Sequence, residues 1–83
     1  MHGYSDRLEQ LLEAIAKTLV DHPEKVEIRS VEGQFATILE LHVDPEDVGH
    51  VVGRHGRIAE ALRTIIGAVG MKWHKRVTVE IVY

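Results

Sequence analysis

The feature that most constrains this chain is a four-residue turn, Gly-Arg-His-Gly at residues 53–56, which interrupts a helical pattern. A plain turn between two helices needs one glycine or asparagine at the helix end. This turn has two glycines, Gly53 and Gly56, and two basic side chains at its tip, Arg54 and His55. The chain must therefore fold so that two helices meet at a glycine-flanked basic turn, which becomes the first candidate for a binding site.

Hydrophobic periodicity predicts a helix at the start of the chain. Apolar residues recur at intervals of three and four from Leu8 to Leu19, which is typical of one face of an amphipathic helix. Asp6 and Glu9 have the spacing of a capping box at its start, and Pro23 limits its end. A capped first helix is therefore expected before Pro23.

A β-hairpin is predicted next. The first strand covers about residues 26–31, and Glu-Gly-Gln at residues 32–34 supplies the turn. In the second strand Leu39, Leu41 and Val43 alternate with polar residues, so one face is expected to be buried and the other wet.

The second half of the chain predicts two helices and a strand. Asp44 and Pro45 suit the N-cap and first position of a short helix that ends at Gly53. A second helix begins after Gly56 and is weakened near residues 67–70. Residues 71–76 are expected to form a polar loop, and residues 77–83 a final strand. The apolar face predicted for the second helix consists of Ile58, Ala61, Leu62, Ile65 and Val69.

These elements follow the order α-β-β-α-α-β, which indicates an α+β fold. Two helices separate the second and third strands, a connection long enough for parallel pairing. We expect a three-stranded mixed sheet covered on one face by three helices. The 83 residues correspond to one domain, residues 1–83, with residues 1–4 as a possible frayed end.

Charge is divided along the chain. Residues 1–52 carry four Lys/Arg and eleven Asp/Glu, whereas residues 53–76 carry six Lys/Arg and one Asp/Glu. This split predicts a localised anion-binding surface on an acidic body, although the net charge is only −3. The chain has no cysteine, no apolar run long enough to cross a membrane and no signal-peptide pattern, so a cytoplasmic location is expected.

The residues around the turn resemble a known family. Residues 51–58, VVGRHGRI, are similar to the VIGxxGxxI signature of KH domains, and the element order matches the bacterial type II arrangement. The stretches PEDVG at residues 45–49 and GRIAEALRT at residues 56–64 resemble the small bacterial single-KH proteins of the KhpA (YlqC) family. The resemblance covers nearly the whole chain.

The resemblance implies a site for single-stranded RNA. In KH domains the turn clamps the backbone of about four nucleotides, and bases lie in an adjacent apolar groove. Glycines let the backbone approach closely, and the N-terminus of the following helix attracts phosphate. One wall of the groove would be the helix pair, including Ala61, and the other the last strand with the loop before it, including His74. The candidate RNA-binding residues are Gly49, Val52, Gly53, Arg54, His55, Gly56, Arg57, Ile58, Lys72, Trp73, Lys75 and Arg76.

Several of these candidate residues also have a purely structural explanation. The two glycines would also suit a plain tight turn, and Gly49 would also suit close helix packing. Val52 and Ile58 have the character of core residues. Trp73 either packs on the domain or a partner, or stacks on a base. The basic residues at positions 72, 75 and 76 would also be typical of a solvated loop.

Other functions were weighed against RNA binding. The resemblance implies self-association, pairing with a larger KH protein of the KhpB (Jag, EloR) type, an RNA-chaperone role and a link to cell elongation and wall synthesis. A protein-interaction module with secondary RNA binding is therefore the main alternative. A helix-turn-helix reader of DNA using residues 57–67 is a third hypothesis, but this helix is poor in polar residues that read bases.

Catalysis and metal binding are not expected. The chain has no evident nucleophile with its base, and the turn lacks the Gly-Lys-Ser/Thr ending of a P-loop. His50 and His55 straddle the turn rather than share a helical face, and no acidic residue is at ligand spacing. The sequence therefore predicts no enzyme activity, no cofactor, no metal, no small-molecule substrate and no membrane partner.

Overall fold

The predicted order of elements is confirmed. A computed structural model of the chain describes residues 3–83, and within them no helix is both long and apolar enough to cross a membrane. Residues 1 and 2 of the expected frayed end lie outside this range. Short 3-10 segments precede β1, α2 and α3. The elements are α1 (Tyr4–Leu19), β1 (Glu27–Glu32), β2 (Thr37–His42), α2 (Val48–Val52), α3 (Arg57–Lys72) and β3 (Val77–Val82).

The three strands form one mixed sheet in the order β1-β2-β3. β1 pairs with β2 antiparallel, and β2 pairs with β3 parallel. Leu39 lies at the centre of the sheet, opposite Ser30 on one side and Val79 on the other. The parallel pair exists because α2 and α3 return the chain to the starting end of the sheet, as the length of that connection predicted.

The core lies between the helices and one face of the sheet. Residues of β2 alternate between buried and half-buried, so Leu39 and Leu41 face the helices. Leu8, Leu12 and Ala16 are fully buried at intervals of four along α1, which explains why this helix packs as a single stripe. The predicted hairpin and amphipathic α1 are thus confirmed, although β1 begins and ends one residue later than expected.

The predicted capping box at the start of α1 is wrong. The helix begins at Tyr4 with Gly3 as its N-cap residue, so Asp6 lies inside the first turn. A carboxylate in that turn still interacts favourably with the positive end of the helix dipole. By contrast, the predicted cap of the segment before α2 is confirmed, since the Asp44 side chain accepts a hydrogen bond from the Glu46 backbone N–H at 2.9 Å.

The buried face of α3 differs from the predicted one. Ala61 and Ile65 are exposed, while Ile58 and Val69 are half-buried. A Cβ added to Gly70 would lie 2.9 Å from Cγ2 of Val77, so this glycine allows α3 to approach β3 closely. The buried stripe of α3 accordingly includes Gly70, which lies against β3. The residues that α3 buries are Ala59, Leu62, Ile66 and Gly70.

α3 continues through Gly67 and Gly70 to Lys72, so Met71 and Lys72 are helical rather than part of a loop. The helix ends in a Schellman motif, in which the Lys75 N–H donates to the Gly70 carbonyl and the His74 N–H to the Met71 carbonyl. His74 has a φ of 58° there. The reversal sends β3 back along α3, and the loop before β3 therefore lies at the opposite end of α3 from residues 53–56.

Candidate nucleic-acid interface

Gly53 shapes the turn between α2 and α3. Its N–H donates to the Gly49 carbonyl at 3.0 Å, which closes α2. Its φ of 79° and ψ of 172° fall in a region that essentially only glycine adopts. A Cβ at this position would also lie 2.6 Å from Cγ1 of Ile58. The fold itself therefore requires glycine at position 53, before any ligand is considered.

Gly56 has a different role. It adopts φ 72° after His55 at φ 57°, and its N–H donates to the Gly53 carbonyl at 3.1 Å. Within residues 3–83, a Cβ added to Gly56 would meet no atom within 4 Å, and the same is true of Gly49. Close helix packing therefore does not account for Gly49, and the surface in front of Gly56 is open to a ligand backbone.

The open surface lies at the N-terminus of α3. This helix has sixteen residues, and its N-cap residue, Gly56, has no side chain with which to cap the first turn. The Arg57 N–H already donates to the Arg54 carbonyl, and the N–H groups that follow it in the first turn favour phosphate, assisted by the helix dipole. Arg54, His55 and Arg57 are all exposed around it. The open surface at Gly56, the start of α3 and the exposed side chains of Arg54 and Arg57 are thus neighbours in one short segment.

The apolar side chains beside the turn that were predicted to contact RNA are only partly exposed. Val52 and Ile58 are half-buried, and Ile58 packs against the hydrophobic core as well as over Gly53. Val51, which precedes them, is fully buried. Ile58 therefore has a structural role, and the part of its side chain that remains exposed can contact a base.

The remaining candidates form a separate group. Lys72, Lys75 and Arg76 are exposed and Trp73 is half-buried, with the Lys72 ammonium 5.6 Å from the centre of the indole ring. Fifteen helical steps separate Arg57 from Lys72, which corresponds to about 22 Å along α3. The structure therefore brings the turn residues together and holds the basic loop one helix length away. That both groups line one groove stays a prediction.

Two contacts near the site were missed from the sequence. The Arg63 Nε–H donates to the Val79 carbonyl at 3.0 Å and ties α3 to β3. The Asp47 carboxylate, only 1% exposed, accepts hydrogen bonds from the backbone N–H groups of Asp21 and His22 and contacts His22 Nδ1 at 3.1 Å. From the sequence, Asp47 was expected only as an acidic residue at the start of a helix. Its partners Asp21 and His22 are 26 and 25 residues away in the chain, and no local pattern indicates them.

The Asp47–His22 contact shifts both pKa values. Burial by itself would raise the pKa of the Asp47 carboxyl, but the hydrogen bonds from Asp21 and His22 outweigh burial and hold that pKa below its usual value. The hydrogen bond to Asp47 raises the pKa of His22, with further help from nearby carboxylates such as Asp44. The Asp47–His22 contact joins the end of α1 to the start of α2, the helix that leads into the turn.

Acidic groups from distant parts of the chain approach the histidines here. Asp21, Asp47 and His50 have ligand-type atoms within 4.8 Å of one another, as do His22, Asp44 and Glu46. The prediction that no acidic residue is at ligand spacing is therefore wrong: Asp47 lies only three residues before His50, at the start of the same helix, and Asp21 reaches them from the end of α1. Since Asp47 already accepts hydrogen bonds from two backbone N–H groups and contacts the His22 ring, we interpret the cluster as a hydrogen-bond network that fixes α2.

Comparison with known proteins identifies the family. The sequence model of the family described as KhpA/KhpB, KH domain, matches residues 9–81, which include β1, β2, α2, α3 and all but the last residue of β3. The chain belongs to the KhpA/KhpB KH-domain family. The resemblance seen around the Gly53–Gly56 turn is thereby confirmed, and the α+β fold is that of a KH domain.

Related KH proteins align along nearly their whole length. The RNA-binding protein KhpA of Clostridium acetobutylicum is 55% identical over 75 residues, covering 90% of this chain and all of that protein. The RNA-binding protein KhpA of Borreliella burgdorferi is 47% identical over 81 residues, covering 98% of each chain. The RNA-binding protein KhpA of Clostridium perfringens is 51% identical over 75 residues, covering 90% of this chain and all of that protein.

The two glycines of the KH turn should respond differently to alanine. We expect Gly56→Ala to lower the free energy of unfolding by about 1–2 kcal/mol, the cost of a left-handed backbone. Gly53→Ala adds the overlap with Ile58 and should cost about 3 kcal/mol or more. Urea denaturation measures both, with Gly49→Ala, which has free space, as the control. Equal losses for Gly53→Ala and Gly56→Ala would contradict these roles.

The His22–Asp47 pair should make the KH domain's stability depend on pH. Because the pKa of His22 is raised on folding, its contribution is fully present below its unfolded pKa of about 6.5 and is lost as the pH rises through the folded pKa. Asp47 acts oppositely, and its contribution is lost only as the pH falls through its lowered pKa. His22→Gln should therefore cost most stability near about pH 5.5 and least near about pH 8.

Denaturation curves of wild type and His22→Gln at several pH values measure this difference. Besides Asp47, the carboxylates of Asp44, Glu24 and Glu46 act on His22, with Glu46 Oε1 3.9 Å from Nε2. Gln10→Ala, at an exposed position without a titratable side chain, is the control and should show no such trend. A cost for His22→Gln that stays constant across this range would mean that His22 is not charged in the folded domain.

Proposed function

We propose that this KH domain binds single-stranded RNA through the Gly53–Gly56 turn. The observation that carries the proposal is the open surface at Gly56, which faces the start of α3 and is surrounded by Arg54, His55 and Arg57. Relatives 45–55% identical to this chain bear the name RNA-binding protein KhpA. Both the geometry and the family support the same ligand.

The chemistry of the turn suits the RNA backbone. Phosphate oxygens accept hydrogen bonds from the N–H groups at the start of α3, while the guanidinium groups of Arg54 and Arg57 supply charge. Gly49 and the exposed parts of Val52 and Ile58 offer apolar surface for the bases that follow. In this arrangement the backbone contacts position the strand, and base contacts provide any preference among sequences.

We propose a binding role rather than catalysis, because N–H groups and guanidinium groups hold a phosphate without attacking it. A site that contacts only a few nucleotides suits a protein that binds and releases RNA strands. We propose that the protein acts as an RNA chaperone or post-transcriptional regulator in the cytoplasm. The link to cell elongation and wall homeostasis is proposed from the family resemblance.

Reversing charge at the tip should abolish RNA binding without unfolding the domain. Arg54→Asp with His55→Asp places two carboxylates where phosphate would bind, and both side chains are exposed. Fluorescence anisotropy with a labelled single-stranded RNA measures binding, and thermal unfolding checks the fold. Gln10→Asp with Lys25→Asp changes the net charge by the same amount at exposed positions of the acidic half and should bind normally.

If the folded double variant at positions 54 and 55 binds RNA as tightly as wild type, the Gly53–Gly56 turn is not the RNA-binding site. The salt dependence gives a second measure, since each phosphate contact with a single strand contributes about 0.7 to the slope of log affinity against log salt. We expect a shallow slope for wild type and a smaller one for Arg57→Gln. The same titration with duplex DNA should show much weaker binding, and equal binding would favour the helix-turn-helix alternative.

An exposed strip on α3 supports a second role as a protein-interaction module. Ala61, Ile65, Ala68 and Met71 follow helical spacing on the side away from the core, and Ile65 is 45% and Met71 61% exposed. We propose that this strip contacts a second copy of the chain or a KhpB-type partner. A dimer would combine two weak RNA sites and raise the affinity through effective concentration.

Placing a charge on the strip should prevent self-association. We expect Ile65→Glu to be monomeric at concentrations where wild type dimerises, because an unpaired carboxylate at an apolar contact is costly to desolvate. Sedimentation equilibrium over a range of concentrations measures the mass. Val31→Glu, at a similarly exposed position (42%) on β1, is the control. A wild type that stays monomeric, or an Ile65→Glu variant that still dimerises, would contradict the proposal.

A further inference from the structure

A groove lies at the end of the sheet farthest from the Gly53–Gly56 turn. Residues 32–37 of the β1–β2 turn form one side and residues 74–76 the other, around a space of about 290 Å³; we call it the end groove. Backbone hydrogen bonds fix both sides. The Gly33 N–H donates to the Ala36 carbonyl at 2.8 Å, and the Thr37 N–H donates to the Arg76 carbonyl at 2.9 Å.

Phe35 is the least expected residue of the end groove. It is the only phenylalanine in the chain, yet it is 80% exposed at the tip of the turn instead of contributing to the core. Single exposed apolar residues are common on protein surfaces, so exposure alone assigns nothing. Here, however, the aromatic ring shares a groove with the basic side chains of the loop before β3.

The charge of the end groove favours an anionic ligand. Lys75 and Arg76 line it and face one carboxylate, Glu32, while Lys72 is exposed on the adjoining turn of α3. The lining is mainly polar, which suits a hydrophobic peptide poorly. Basic side chains beside an exposed aromatic ring are the combination that binds single-stranded nucleic acid, with phosphates on the cations and a base stacked on the ring.

We propose that the end groove is a second contact for the same RNA strand, in which Phe35 stacks on a base and Arg76 binds a phosphate. The inference rests on the proposed function of the Gly53–Gly56 turn. The two contacts are separated by about the length of α3, roughly 22 Å. A strand that reaches both gains affinity through effective concentration, because the second contact becomes intramolecular.

Strand length tests the proposal. A single-stranded RNA of about four nucleotides fills only the turn. One of about twelve nucleotides covers about 40 Å even at 3.4 Å per nucleotide, which exceeds the longest dimension of the domain, 34 Å. Wild type should bind the longer strand more tightly. Phe35→Ala should lower affinity for the longer strand by at least about fivefold and leave the shorter strand unaffected.

Variants at the same position separate stacking from apolar contact. Phe35→Trp should keep the affinity for the longer strand, whereas Phe35→Leu should lose it as Phe35→Ala does. Arg76→Gln should weaken binding of the longer strand alone and reduce its salt slope by about 0.7. Tyr83→Ala removes an equally exposed aromatic ring beyond the other end of β3 and should leave the ratio of the two affinities unchanged.

The two proposals fail in different ways. Wild type that binds neither strand overturns both. Wild type that binds the short strand, with Phe35→Ala and Arg76→Gln leaving the longer strand unaffected, overturns the end groove alone. If Phe35→Ala instead changes the mass of the protein in solution and no RNA affinity, the groove is a protein contact and the inference is wrong. Because Phe35 is exposed, unchanged thermal unfolding is expected for each of its variants.

Discussion

The close approach of Ile58 to the backbone of Gly53 determines much of this domain. A side chain at position 53 would overlap Ile58, and the backbone there has dihedral angles that only glycine adopts readily. Ile58 in turn packs against the core, so the contact fixes the direction in which α3 leaves the turn. α3 then carries the chain along the sheet to β3, which pairs parallel with β2.

The acidic and basic segments of the sequence have different roles in the fold. Acidic residues of the first half hold the structure together, since Asp47 joins the end of α1 to the start of α2 and Asp44 caps the segment before it. Apart from Arg63, which lies within α3 and donates to the Val79 carbonyl, the basic residues of the segment 53–76 are exposed at the two ends of α3. One rigid helix therefore separates two cationic surfaces, while most carboxylates lie elsewhere on the domain.

Local patterns predicted the fold well because each element depends on its own sequence. The hairpin, the cap at Asp44 and the termination of α2 at Gly53 follow from short-range preferences. The buried face of α3 could not be predicted in this way, because it depends on how the helix packs on the sheet: Gly70 lies against Val77, and Ile65 stays exposed. For the same reason the partners of Asp47 were missed, since Asp21 and His22 meet it only through tertiary packing.

The candidate site was predictable where it is formed by one continuous segment, and not where two segments combine. Residues 53–57 carry the turn in sequence order, whereas the end groove joins a hairpin turn to a loop some forty residues later. Backbone clamping and base stacking both tolerate many sequences, because every nucleotide has a phosphate and an aromatic face. We infer that a strand held by both proposed contacts is recognised by its single-stranded form more than by its sequence. On this proposal, affinity depends on how many of the contacts one strand reaches, so the roughly 22 Å that α3 places between them sets the shortest strand that gains from both.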